Sequence, residues 1–174
     1  MGVSRIGDDV AVGTTQIDIS ADTAQQGYKY IVVYTKSSLA EQTTPADLYI
    51  SDTVESVSNI AFVDRDLDAG EIGETLTWTA PLDVSLVTYY SVYLAHSESG
   101  LRRSQLSGDV VAGTNLLYIP GDTDLRNFTH FLVYTKSSLV EQTTPVARSI
   151  NYNDTLASIS NIAFTDRDLD ENDI

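Results

Sequence analysis

Apolar and polar residues alternate along several short runs of this chain, and turn-forming residues separate the runs. Thr75 to Ala80 sets Leu76 and Trp78 against Thr75, Thr77 and Thr79, the period-two mark of a strand with one buried face. Pro81 ends it. Val87 to Leu94 puts Tyr90, Val92 and Leu94 on one face, with Tyr89, Ser91 and Tyr93 on the other. Asn59 to Asp64 is a shorter strand with Ile60 and Phe62 on one side. Asp109–Ala112 reads as an edge strand, and Asn115–Ile119 as another that Pro120-Gly121 stops. Phe128–Thr135 is apolar on both faces, as a central strand is, and Val146–Tyr152 closes the sheet. Short strands, frequent turns and no helical period predict an all-β fold, an antiparallel β-sandwich.

The pattern occurs more than once. Val33 to Pro45 returns as Val133 to Pro145 with one change, Ala40 to Val140, at a shift of 100 residues. Ser58 to Asp68 returns as Ser160 to Asp170 with one change, Val63 to Thr165, at a shift of 102. A weaker stretch also matches: Asp9-Val10 with Asp109-Val110, Gly13-Thr14 with Gly113-Thr114, Asp22-Thr23 with Asp122-Thr123. A period of this length is a whole small domain, not a solenoid turn. The register predicts that residues 1–55 are the later part of one repeat, 56–157 a complete one, and 158–174 the first strand and acidic loop of a third. In 1–55 it predicts strands at Asp9–Val12, Thr15–Ile19, Tyr28–Thr35 and Ala46–Ile50.

These residues carry a resemblance. Trp78 alone in its strand, Tyr90-x-Val92 in the next, and Leu117-x-Ile119 before Pro120-Gly121 resemble a fibronectin type III or immunoglobulin-like module. The phrases Asp64 to Asp68, Thr75 to Pro81 and Val33 to Leu39 resemble tandem repeats of about 100 residues in very large, uncharacterised predicted proteins of unicellular algae. The resemblance implies a sandwich module in an array and carries no activity of its own.

Composition narrows the function classes. Of 174 residues, 42% are hydrophobic, enough for a packed core, yet no apolar run reaches the length that crosses a bilayer. A net charge of -15 disfavours nucleic acid and anionic lipid as partners. The absence of cysteine excludes disulfide staples and thiolate metal sites.

The sharpest chemistry is acidic. Asp64, Asp66, Asp68 and Glu71 recur as Asp166, Asp168, Asp170 and Asp173. In extended chain, alternate carboxylates face one way and repel unless a cation or Arg65 relieves them. Oxygen-only ligands favour Ca²⁺. The spacing is not that of an EF-hand: with Asp64 as position 1, Gly70 falls at 7 and Ile72 at 9. The bland alternative is a solvated acidic loop with Arg65 as counter-ion. Two sequons, Asn127-Phe-Thr and Asn153-Asp-Thr, are candidate glycosylation sites in a secreted chain. Tyr89 and Tyr93 could stack a sugar, although outward tyrosines are ordinary strand residues. His96 and His130 form no catalytic constellation with other residues, and His130 matches Tyr30, which suits packing better than catalysis.

The expectation is a non-enzymatic structural repeat of an extracellular or cell-surface filament, appendage or adhesin stalk. It assembles with itself head to tail and is stiffened by Ca²⁺. The competing expectation is a carbohydrate-binding module repeated for avidity. An accessory module of an enzyme is a third.

Overall fold

The computed structural model describes residues 2–150 and 158–167. Among these the secondary structure is all β, and no helix is long and apolar enough to cross a membrane. The chain divides into two units, Met1–Val54 and Glu55–Ile174.

The first unit contains two strands, β1 (Tyr30–Val33) and β2 (Ala46–Tyr49), paired antiparallel with Val33 opposite Ala46. The loop between them is closed by its own polar groups. Ser37 Oγ accepts from the backbone N–H groups of Leu39 and Ala40 at 3.1 Å each. Thr35 Oγ1 donates to Gln42 Oε1 at 2.8 Å. Strands expected at Asp9–Val12 and Thr15–Ile19 are not formed. Their counterparts in the second unit pair with strands that have no equivalent in residues 1–54, and a strand without a partner leaves its backbone groups to water.

The second unit has β3 (Ser58–Ala61), β4 (Glu71–Thr79), β5 (Tyr89–Ala95), β6 (Ser104–Gln105), β7 (Val110–Val111), β8 (Leu116–Asp124), β9 (His130–Lys136) and β10 (Val146–Ser149). One sheet has the order β3-β4-β8. The other runs β10-β9-β5, with β6 and β7 both pairing along the far side of β5. All pairings are antiparallel.

The two sheets face each other across one core. Ile60, Ile72, Leu76, Trp78 and Ile119 come from the first; Tyr90, Val92, Leu94, Phe131 and Val133 come from the second. This is the sandwich that the alternating runs predict. Trp78 stacks edge-on against Tyr90, with centroids 5.4 Å apart. A smaller apolar cluster of Ala95, Leu132 and Tyr134 lies on the other face of β5 and β9.

Ser91 lies on the outer face as expected, opposite Tyr134, yet it is buried there, with its hydroxyl donating to Asp109 Oδ1 at 2.8 Å. Two details differ from the expected strands. The strand ending at Ile119 continues through Pro120-Gly121 to Asp124, because β8 bulges there, Pro120, Gly121 and Asp122 together spanning Gly73 of β4. β6 was not foreseen, being only Ser104 and Gln105.

Candidate functional site

The acidic residues gather where the loop after β3 meets the bulge of β8 against β4. On β8, Thr123 pairs with Ile72 and Ile119 with Glu74, so Pro120, Gly121 and Asp122 all lie opposite Gly73. That crowding requires glycine on β4. A Cβ at Gly73 would sit 2.7 Å from the Gly121 Cα, closer than real Cβ atoms come. Glu74, next along, takes a φ of 143°, and Asp122 takes 58°. The bulge turns Asp122 toward the loop.

The loop is shaped by its own carboxylates. Asp64 Oδ1 accepts from the N–H groups of Asp66 (3.1 Å) and Gly73 (2.9 Å). Asp66 Oδ1 accepts from the Asp68 N–H at 2.9 Å, and its Oδ2 from the Asp122 N–H at 2.7 Å. These are successive side-chain-to-backbone turns in place of an extended chain. Asp66, Asp68, Glu71 and Asp122 each bring a carboxylate oxygen within 4.8 Å of the others.

Asp66, Asp68 and Glu71, which the sequence spacing groups, lie together with Asp122. Asp64 serves the backbone instead, as a brace under the loop. Asp122 is the residue missed, since its contribution depends on a bulge 56 residues away from Asp66. The signal was the Asp-Thr pair kept at 22–23 and 122–123. Arg65 is not the counter-ion of the group: its Nε pairs with Glu74 Oε2 at 3.2 Å. The ion pairs among the described residues include none to these four carboxylates.

The electrostatics follow. Hydrogen bonding from the Asp122 and Asp68 N–H groups holds the Asp66 carboxyl below its usual range. Glu71 is pushed up, first by loss of solvation and then by the charges of Asp122, Asp66, Asp68 and Asp124. Four oxygens from four carboxylates suit a hard cation of the calcium type. Of the second acidic set, Asp166 is described and Asp168, Asp170 and Asp173 lie outside the described residues, as does Asn153. Asn127 is exposed in the turn between β8 and β9, beside buried Phe128.

Tyr93 is no open platform for a sugar. The Arg103 guanidinium covers its ring at 4.4 Å and the Tyr134 ring at 4.5 Å, while pairing with Glu141 at 2.7 Å. The Tyr93 hydroxyl donates to Glu141 Oε2 at 2.8 Å. Burial and this carboxylate raise its pKa to about 12. His96 stacks on Phe128 at 5.0 Å, and His130 Nδ1 shares a hydrogen with Thr129 Oγ1 at 2.7 Å. No protein-family model, curated protein or solved structure matches the chain.

Proposed function

We propose that this chain is a structural, non-catalytic repeat unit of an extracellular filament, surface appendage or adhesin stalk. Its β-sandwich modules follow one another head to tail, with Ca²⁺ stiffening the loop after the first strand. The observation that carries the reading is one hairpin built twice. Val133 opposes Val146 as Val33 opposes Ala46, and the loops close alike: Ser137 Oγ accepts from Leu139 and Val140, and Thr135 donates to Gln142. Duplication of a scaffold element, with no shared catalytic group, suits a material made of repeats. The fibronectin-like and algal-repeat resemblance and an extracellular location belong to this proposal.

Calcium enters through Asp66, Asp68, Glu71 and Asp122, whose mutual repulsion a divalent cation would relieve. Negative-stain electron microscopy of the concentrated chain, with calcium and with chelator, tests the reading. Ordered strings that become straighter with calcium are the expected result. Dispersed particles under both conditions, with no calorimetric heat up to millimolar calcium, would reject it.

A further inference from the structure

Beside the two tyrosines that Arg103 covers, the second unit has a recess of about 440 Å³, within the size range of small-molecule sites. Two loops form it. One follows β5, where the Gly100 N–H donates to the Ser97 carbonyl at 3.1 Å and Gly100 takes a φ of 87°. A Cβ there would meet the Tyr134 hydroxyl at 2.7 Å, so glycine lets this loop close down onto that side chain. The other loop joins β9 to β10 and supplies Val140, Glu141 and Thr143.

The walls are mostly polar, and their charged groups are held in place. The Arg103 guanidinium rests on the Tyr93 and Tyr134 rings at 4.4 and 4.5 Å. Glu141 is fixed at both oxygens, Oε1 by Arg103 Nη1 at 2.7 Å and Oε2 by the Tyr93 hydroxyl at 2.8 Å. Neither partner is exhausted by these bonds, since a guanidinium has five N–H groups and a carboxylate about four lone-pair sites. Ser99 and Thr143, both exposed, add hydroxyls at the rim. The hairpin does not call for the guanidinium. In the first unit the equivalent loop closes through the same hydrogen bonds, and Tyr34, Glu41 and Thr43 recur, but Val3 stands where Arg103 does.

We propose that this recess binds a neutral saccharide through Arg103, Glu141, Ser99 and Thr143. Charge selects the class. An anion would meet the Glu141 carboxylate and a cation the Arg103 guanidinium, each at a like charge. An apolar ligand would strip water from both and replace none of its hydrogen bonds. A sugar diol suits both at once: one hydroxyl accepts from the guanidinium while its neighbour donates to the carboxylate. Val140 gives the C–H groups of the ring an apolar surface. The site is separate from the acidic loop, and the proposal depends on neither calcium nor head-to-tail assembly.

Saturation-transfer NMR on the whole chain tests it, with cellobiose, xylobiose, mannobiose and lactose as neutral probes and galacturonic acid as an anionic one. At least one neutral probe should bind, and more tightly than galacturonic acid. Arg103→Met keeps a long side chain over the rings and removes the donors, and should weaken that probe about tenfold or more. Ser99→Leu, on the exposed rim, should weaken it by crowding the entrance. Tyr118→Ala, on the outer face of the other sheet, should leave binding unchanged. Melting curves like that of the wild type show that a loss is not unfolding. No response from any neutral probe overturns the proposal, as does tighter binding of galacturonic acid. Binding that survives both Arg103→Met and Ser99→Leu also overturns it, and its loss in Tyr118→Ala would move the sugar to the other sheet.

Discussion

Lys136 and Asp109 form an ion pair at 2.6 Å, and 100 residues earlier Lys36 and Asp9 form the same pair at 3.0 Å. The two pairs differ in what stands behind the carboxylate. Asp109 also accepts from Ser91, which is buried, and from Gln105. Asp9 is joined instead by exposed Arg5. Asp109→Ala should therefore strand a buried hydroxyl and cost about 1–3 kcal/mol of the second unit's stability. Asp9→Ala should leave that transition where it was. Urea melts of both variants decide this; equal midpoints would refute the distinction.

Acid should expose the same pair. Lys136, then Ser91, lower the Asp109 pKa. A depressed carboxylate contributes stability above its unfolded value, and that contribution disappears as pH falls through the folded value. The second unit of the wild type should lose more stability below pH about 4 than Asp109→Asn does. Melting curves between neutral pH and the acid range measure the difference, and parallel curves would count against it.

Alkali should act through Tyr93, whose pKa is pushed up from an ordinary 10.0 to about 12 by burial and Glu141. A raised folded pKa gives stability that is intact below the unfolded value and is lost as pH climbs through the folded one. The wild type should weaken between pH 10.0 and about 12, and Tyr93→Phe should remove part of that loss. Lys136, raised by Asp109, adds an alkaline loss of its own that Tyr93→Phe leaves in place. Ultraviolet titration of tyrosinate should show one fewer late-ionising group in the variant, with Tyr90, also raised by burial, still present.

Trp78 sits in the core, and its indole N–H has no hydrogen-bond partner among the described residues. Its worth is therefore volume and contact with Tyr90. Trp78→Ala should cost about 3–5 kcal/mol, and Trp78→Phe markedly less. Chemical denaturation followed by circular dichroism tests this. A Phe variant as unstable as the Ala variant would show that the N–H matters.

The burial of Trp78 was legible because alternation is local: Leu76 and Trp78 share a face whatever the rest of the chain does. Ser91 was not legible, since its partner Asp109 lies 18 residues away across a turn. Asp122 escaped for the same reason: Pro120-Gly121 is a strand stop by local rules, and only the pairing of β8 with β4 on both sides of Gly73 overrules them. The missing strands at Asp9–Val12 and Thr15–Ile19 show the opposite error. Their pattern suits a strand, but pairing is not written into one strand alone.

Gly73 and Gly121 are in contact, but the contact is one-sided. A Cβ at Gly73 meets Gly121 backbone at 2.7 Å, whereas one at Gly121 meets only Asp66 Oδ2 at an ordinary 3.6 Å. Gly73→Ala should cost about 1–3 kcal/mol and Gly121→Ala little. The repeat itself carries Ala21 at the place of Gly121. Thermal melts of the two alanine variants that shift equally would contradict this asymmetry.

The self-closed loop between β9 and β10 has a consequence in time. Its bonds from Ser137 and Thr135 span three to seven residues, while β5 and β9 must close 35 residues between Ala95 and His130 before their nearest residues pair. Short closures are entropically cheaper and form in microseconds. The hairpin is then expected to nucleate folding, with the two-sheet core condensing on it. Ser137→Ala should slow refolding in stopped-flow experiments more than it speeds unfolding, and Trp78→Phe the reverse. Because the hairpin is built twice, each of the two units has its own starting point, and neither need wait for the other to begin folding.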